Sequence, residues 1–171
     1  GAFGDGGALL CSDAAVAARA MQAEGRAGRM LIVDLDVHQG DGTAAIFADD
    51  ASVFTLSLHG RNNFPFRKQA SDLDVELADG TGDADYLAAL DAALPRALDR
   101  ARPDLAIYLA GADPYRGDRL GKLALSKAGL ALRDRRVLTA LRSAGVPVAV
   151  AMAGGYAESV DDIVDIHFAT V

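Results

Sequence analysis

Short apolar runs alternate along the chain with segments in which apolar residues recur at helical spacing. The runs lie at residues 29–35, 52–58, 104–113 and 146–155. Continuous apolar runs of this length are typical of strands that are covered on both faces. Because helical segments separate them, the pattern predicts an α/β fold with a mainly parallel sheet flanked by helices.

The remaining patterned segments predict helices at residues 13–24, 41–48, 84–101, 125–145 and 157–171. Asp13 is a candidate N-cap for the first helix, and Gly145 is a candidate end for the fourth. Pro95 should kink or split the third helix, because proline has no amide hydrogen to donate. Residues 59–83 predict a long, mostly irregular loop, and loops of that length are usually functional or disordered.

Composition narrows the class of protein. The chain has 171 residues, 51% of them hydrophobic, which suffices for one domain. A net charge of −7 argues against binding to nucleic acid. No segment approaches the roughly 18 apolar residues of a membrane span, so we expect no membrane partner. Cys11 is the only cysteine, which favours a cytoplasmic location. Nothing indicates the oligomeric state.

Two carboxylates and an imidazole follow the first strand at alternating positions. They are Asp34, Asp36 and His38, in the segment DLDVHQGDGT. Side chains two residues apart in an extended chain project to the same side. Since buried carboxylates are costly unless they are paired or bound to a cation, this spacing indicates a cation site.

Two later strands also end in polar residues. Asp113 ends the third strand, and Tyr156 follows the fourth. The carboxyl ends of parallel strands share one edge, so Asp36, His38, Asp113 and Tyr156 should converge on one cleft. Two carboxylates and an imidazole suit a divalent transition metal with one position left for water. Such a metal would polarise a carbonyl and activate water, and Tyr156 could donate to the resulting oxyanion.

Each of these residues also has a plainer interpretation. An Asp-x-Asp pair at a strand end also serves magnesium or caps a helix. Asp113 precedes Pro114, a common turn sequence, and Tyr156 taken alone could be a packed tyrosine. Ordinary surface or core positions are expected for His59 and His167, and a solvated helix face for Arg133, Arg135 and Arg136.

Four ordered segments together resemble the histone deacetylase family. They are DLDVHQGDGTAAIF, FPFRKQASDLDVELADGTGDADYL, LAIYLAGADPYRGDRLGKLALS and AGGYAESVDDIVDIHFATV. The resemblance is greatest to class IV-like and bacterial deacetylases of the arginase-deacetylase superfamily. It corresponds to the later part of the family's catalytic domain. It therefore implies that residues 1–171 are a partial catalytic domain lacking its N-terminal part, with an incomplete arginase-deacetylase fold.

The resemblance implies roles for individual residues. Asp36, His38 and Asp113 would bind Zn²⁺, with Fe²⁺ as the alternative, and Tyr156 would polarise the acetyl carbonyl. Residues expected to contact the substrate are Gly154, Gly155 and, as an apolar wall around the lysine methylene chain, Phe64.

The resemblance also implies a structural potassium ion behind the zinc ligands. The side chains of Asp34 and Ser57 would bind it, with the backbone oxygens of Asp36, His38 and Leu58. A cation there would hold Asp34 ionised and fix the loop that carries the ligands.

One departure from the family bears on activity. In the family a His-His pair precedes the residues that match Ala2 and Phe3, and its second histidine is the general base. Asp34 and Asp41 would orient that pair. Here Gly1 occupies the matching position. We therefore expect this chain to bind metal weakly and to have little or no activity.

The expected function is that of a zinc-dependent amidohydrolase. It would hydrolyse the N-acetyl amide of acetyl-lysine, or of a similar substrate, to acetate and an amine. Two alternatives remain open: a non-catalytic deacetylase-like domain that binds acetylated ligands, and an acetylpolyamine amidohydrolase.

Overall fold

The computed structural model describes residues 12–171, so the expectations for Gly1, Ala2, Phe3 and Cys11 lie outside the described residues. Its strands are β1 (Met30–Asp34), β2 (Val53–Gly60), β3 (Leu73–Leu77), β4 (Leu105–Ala110) and β5 (Val148–Met152). Its helices are α1 (Asp13–Ala23), α2 (Asp41–Phe47), α3 (Asp83–Ala101), α4 (Lys127–Ser143) and α5 (Val160–Thr170).

The strands form one parallel sheet in the order β3-β2-β1-β4-β5. The predicted α/β fold is therefore confirmed. β1 lies at the centre, where Asp34 pairs with Ser57 on one side and with Leu109 on the other. Because all five strands run in the same direction, the segments that follow β1, β4 and β5 lie at one edge of the sheet.

Every residue of β1 is buried, because each face of the strand packs into a different core. Leu31 and Val33 belong to the larger cluster, which includes residues of α3 and α4. Met30 and Ile32 belong to a second cluster, which includes residues of α1. Coverage on both faces explains why the sequence here is continuously apolar.

Two local expectations, those for residues 59–83 and for the N-cap of α1, were wrong. The predicted irregular loop at 59–83 contains β3, which pairs along β2. Ser12 is the N-cap of α1 in place of Asp13, and its side chain accepts a hydrogen bond from Ala15 N. Of the two effects predicted for Pro95, a kink or a split, the split does not occur, since α3 is one helix from Asp83 to Ala101. Buried side chains on both sides of the proline outweigh the lost hydrogen bond.

Helix α4 is fixed at both ends. The Ser126 hydroxyl accepts a hydrogen bond from Gly129 N and donates one to Asp83, at the start of α3. Gly145 follows the helix with a φ of 69°, a conformation that glycine adopts without strain, and its amide donates to Arg142 O. These ends set the position of α4 over the sheet.

No helix within residues 12–171 combines the length and the apolar character needed to cross a membrane.

Candidate metal centre

Three potential ligands meet at the carboxyl edge of the sheet. Asp36 and His38 lie in the segment after β1, and Asp113 lies just beyond β4. His38 Nδ1 is 3.0 Å from Asp36 Oδ1 and 3.2 Å from Asp113 Oδ2. One ligand atom from each residue lies within 4.8 Å of the other two. Two separate segments therefore bring two carboxylates and an imidazole to one point, as the strand pattern predicted.

Backbone amides hold these carboxylates in place. Val37 N donates to Asp113 Oδ1 at 2.8 Å, which ties the two segments together. His38 N donates to Asp36 Oδ1 at 2.8 Å, and Gly154 N donates to Asp36 Oδ2 at 2.9 Å. The segments after β1, β4 and β5 thus share one network of hydrogen bonds.

The arrangement fits a cation. Asp113 Oδ2 is buried and, within residues 12–171, has no hydrogen-bond partner apart from the nearby ring of His38. A buried carboxylate oxygen is costly unless it is paired. A Cβ atom on Gly154 would lie 2.1 Å from Asp113 Oδ2 and 2.7 Å from Asp36 Oδ2. Glycine at this position therefore leaves space beside both oxygens.

The pKa values indicate how the cluster balances its charge without a metal. Burial lowers the pKa of His38, but hydrogen bonds to Asp113 and Asp36 outweigh burial and raise it to about 10. Burial and the nearby Asp36 charge raise the pKa of Asp113 to about 7. Burial opposes ionisation of Asp36, yet hydrogen bonds from His38 leave its pKa below the usual range. A protonated His38 thus supplies the positive charge that a bound cation would supply.

Tyr156 lies close to the cluster and is half-exposed. Burial and the charges of Asp113 and Asp36 raise the pKa of its phenol, which keeps the hydroxyl protonated at neutral pH. Asp118 fixes its backbone, because Asp118 Oδ2 accepts a hydrogen bond from Tyr156 N at 2.6 Å. The Arg119 side chain donates to Tyr156 O at 3.0 Å.

The residues predicted to hold a monovalent cation lie together behind the metal cluster. Asp34 and Ser57 are paired across β1 and β2, and both are buried. Leu58 follows Ser57 in β2. Asp34 Oδ1 accepts a hydrogen bond from Asp36 N at 3.1 Å, and burial, with the charge of Asp36, raises the Asp34 pKa well above its usual range. A cation beside Asp34 would offset that cost.

The other predicted site residues, which lie in separate segments of the chain, are Asp41, Phe64 and Gly155. Asp41 begins α2, and its carboxylate accepts a hydrogen bond from Gly42 N. Phe64 is about half exposed and packs edge-to-face on Phe66, with 6.0 Å between ring centres. A Cβ atom on Gly155 would lie 3.1 Å from Ile163, so this glycine allows α5 to pack closely.

Sequence reasoning missed one residue next to the cluster. Arg133 was expected on a solvated helix face, but its side chain is fully buried. It donates to the backbone oxygens of Leu35 and Gly111, at the ends of β1 and β4. The signal in the sequence was the neighbouring Asp134, which supplies the countercharge that a buried arginine needs.

Known proteins provide an independent line of evidence. Residues 7–171 match the histone deacetylase domain. An uncharacterized protein of Picosynechococcus is 51% identical over 165 residues, which are 96% of this chain and 55% of that protein. Histone deacetylase 2 of Arabidopsis thaliana is 38% identical over 137 residues, with 78% of this chain and 35% of that protein covered.

A solved structure extends the comparison. The acetylpolyamine aminohydrolase of Burkholderia pseudomallei superposes with a TM-score of 0.80 at 27% identity, covering 92% of this chain and 47% of that one. The chain spans about half the length, or less, of these relatives. The domain match, the similarity to named deacetylases and the parallel sheet show that this chain belongs to the histone deacetylase family and has part of the arginase-deacetylase fold.

Proposed function

We propose that this chain is part of a zinc-dependent deacetylase that hydrolyses an N-acetyl amide, such as that of acetyl-lysine, to acetate and an amine. The observation that supports this most is the convergence of one ligand atom each from Asp36, His38 and Asp113 within 4.8 Å. Family membership supports a hydrolase of acetamides. We also propose that residues 1–171 are a partial catalytic domain and that the protein is cytoplasmic.

The proposed metal ligands are Asp36, His38 through Nδ1, and Asp113. When bound, zinc, or Fe²⁺ as the alternative, would supply a Lewis acid for the acetyl carbonyl and for a water molecule. Two carboxylates would neutralise the charge of such an ion and leave a site suited to a neutral amide. The buried Asp113 oxygen, which within residues 12–171 has only the His38 ring beside it, and the space at Gly154 support this ligand set.

Tyr156 is the proposed oxyanion donor. A phenol is protonated at neutral pH, and the pKa of Tyr156 is raised further, so its hydroxyl can donate to the carbonyl oxygen as negative charge develops there. Asp118 and Arg119 hold the backbone of Tyr156 by hydrogen bonds, which limits its movement. Preorganised donors of this kind are worth about 10²–10³ in rate.

The substrate would reach this site past Phe64, Gly154 and Gly155. Phe64 presents a half-exposed aromatic ring that can pack against a methylene chain. The net charge of −7 favours the approach of cationic amines and their acetylated derivatives. We further propose that potassium binds Asp34, Ser57 and Leu58, where a buried carboxylate faces a buried hydroxyl across the sheet.

We expect slow turnover from the 171-residue chain. It contains three histidines, and only His38 belongs to the ligand cluster. His59 Nδ1 shares a hydrogen bond with the Ser57 hydroxyl in β2, and His167 lies on α5. Asp41 would orient a histidine base, and neither of these two histidines belongs to the ligand cluster. A positioned base is typically worth about 10²–10⁴ in rate.

A second candidate is an acetylpolyamine amidohydrolase. The structural similarity to the Burkholderia pseudomallei acetylpolyamine aminohydrolase supports it. A third candidate is a domain that binds acetylated ligands without hydrolysis. It is supported by the ligand cluster of residues 12–171, in which His38 is the one histidine.

Zinc binding and turnover test these proposals together. The zinc affinity of the metal-free chain is measured by competition with a chromophoric chelator. Asp113→Asn should weaken it by at least about 100-fold, because one of three ligands is lost, whereas the exposed Asp99→Asn should leave it unchanged. Equal affinities in wild type and Asp113→Asn would overturn the metal centre.

Turnover is then measured with an acetyl-lysine peptide and with an acetylated polyamine at saturating zinc. Slow release of acetate that Tyr156→Phe abolishes would support an enzyme, and the faster substrate identifies its class. Zinc binding and acetyl-ligand binding without any acetate release would favour the non-catalytic domain.

A further inference from the structure

Arg133 is a fully buried cation that contacts both segments bearing the proposed metal ligands. It lies on α4, and its Nη1 donates to Gly111 O at 2.7 Å and to Leu35 O at 3.2 Å. Leu35 immediately precedes Asp36, and Gly111 lies two residues before Asp113. One nitrogen with two hydrogens therefore bridges the ends of two neighbouring strands.

These two carbonyls lie where the strands stop pairing. The β1–β4 register ends with Asp34 opposite Leu109, and Leu35 N makes one more bond, to Leu109 O at 3.1 Å. Arg133 then donates to Leu35 O, one residue beyond the last paired residue of β1, and to Gly111 O, two residues beyond Leu109. The backbones approach closely at this level, since a Cβ atom on Gly111 would lie 2.7 Å from Asp36 Cα. A small change in strand separation would therefore move Asp36 relative to Asp113.

Asp134 neutralises Arg133. Its Oδ1 accepts from Arg133 Nε at 2.7 Å, and its Oδ2 accepts from the Thr170 hydroxyl at 2.6 Å. With its charge balanced, Arg133 has little net electrostatic effect on the metal ligands. Burying such a pair is also a poor way to stabilise a fold, because desolvation offsets the attraction. Neither charge nor stability therefore explains the two hydrogen bonds that Arg133 donates to the strand ends.

We propose that Arg133 is a positioning residue whose guanidinium fixes the separation of the β1 and β4 ends, and with it the geometry of the ligands Asp36, His38 and Asp113. This inference rests on the proposed metal site. Outer residues that orient metal ligands typically contribute about 10–100-fold to metal affinity. Loss of Arg133 should thus weaken metal binding by more than a general loss of stability explains.

The test compares zinc affinity with the stability of the metal-free protein. Arg133→Met with Asp134→Asn removes the bridge without leaving a buried unpaired charge. Thr170→Val is the matched control, because it removes a hydrogen bond from the same network but leaves Arg133 in place. Chelator competition gives the zinc affinity, and urea unfolding of the metal-free chain gives the stability. The absorption spectrum of the Co²⁺-loaded protein reports ligand geometry.

We expect the double variant to bind zinc about 10–100-fold more weakly and to show an altered Co²⁺ spectrum. Thr170→Val should lose stability yet keep the wild-type affinity and spectrum. Arg133→Lys, which retains the charge but lacks the planar fork, should give an intermediate affinity. Should the double variant not fold, Arg133→Lys decides the question.

Wild-type zinc affinity and Co²⁺ spectrum in the folded Arg133 variants would overturn the positioning role while leaving the metal centre intact. A wild-type chain that binds zinc no better than Asp113→Asn would overturn the metal centre and the positioning role together. The two failures are therefore distinguishable.

Discussion

At the scale of single residues, the cluster is organised around charges that need a partner. Asp36 and Asp113 lie side by side at the sheet edge, and a protonated His38 balances them when no metal is bound. The neighbouring Gly154 leaves space at the oxygens that face this centre. Substitutions that fill this space, or that change the protonation of His38, should therefore lower metal affinity more than they lower the stability of the fold.

Gly154→Ala should weaken zinc binding by at least about tenfold. The added methyl group would lie 2.1 Å from Asp113 Oδ2, so this carboxylate must move away from its partners. Chelator competition measures the effect. Gly28→Ala is the control, because its methyl group would make an ordinary 3.4 Å contact with Asp104. Equal affinities for the two variants would contradict the proposed ligand geometry.

Zinc affinity should rise with pH. His38, with its pKa raised to about 10, is protonated in the metal-free protein at neutral pH, so zinc must displace a proton. Each displaced proton makes the apparent affinity rise about tenfold per pH unit while the pH is below that pKa. Competition between about pH 6 and 8, corrected for the chelator, tests this, and a flat profile would argue against His38 as a ligand.

At the scale of elements, strand ends and helix ends set the site. β1 is apolar throughout because both of its faces are covered, and it turns polar where the sheet edge begins. Helix α4 carries Arg133 to the same edge, and Gly145 ends that helix with a positive φ. Helix α3 ends differently, because Arg102 adopts a left-handed conformation with a φ of 43°.

The two helix ends should respond to substitution in opposite directions. Gly145→Ala should lower the free energy of unfolding by about 1 kcal/mol, because a Cβ atom is strained at positive φ. Apart from its chain neighbours, no atom of residues 12–171 lies within 4 Å of the added Cβ, so backbone strain is the expected cause. Arg102→Gly should be neutral or stabilising by up to about 1 kcal/mol. Urea unfolding measures both, and a destabilised Arg102→Gly would contradict this account.

At the scale of the whole molecule, the parallel sheet unites residues that are far apart in sequence. Asp36 and Gly154 are hydrogen-bonded across 118 positions. The chain spans about half the length of its relatives, and β5 is an edge strand of the described sheet with Val150 and Met152 exposed. Exposed apolar sheet edges favour association between molecules.

Zinc should stabilise the whole fold, because its ligands converge only in the native state. At about 100 times the dissociation constant, the gain is about 2.7 kcal/mol, or roughly 5–10 °C in Tm for a chain of this size. Differential scanning fluorimetry with and without zinc measures the shift. At the same zinc concentration Asp113→Asn should reduce the shift to about 2 °C or less. A shift of equal size in that variant would indicate binding elsewhere.

The sequence by itself determined the α/β class, four of the five strands and the candidate ligands. Continuous apolar runs reveal buried strands because both faces are covered, and the spacing of Asp34, Asp36 and His38 indicates a shared side. The carboxyl-edge rule for parallel strands then placed Asp113 and Tyr156 nearby.

Only the tertiary structure decided the features that depend on contacts between distant segments. β3 was missed because it alternates charged and apolar residues and is an edge strand with partial burial. Pro95 remains within α3 because packing outweighs propensity. The sequence predicts Arg133 on a solvated face of α4, because helical spacing does not show which face of the helix packs against a strand end. Its partners are backbone oxygens, which every residue carries and no sequence pattern distinguishes.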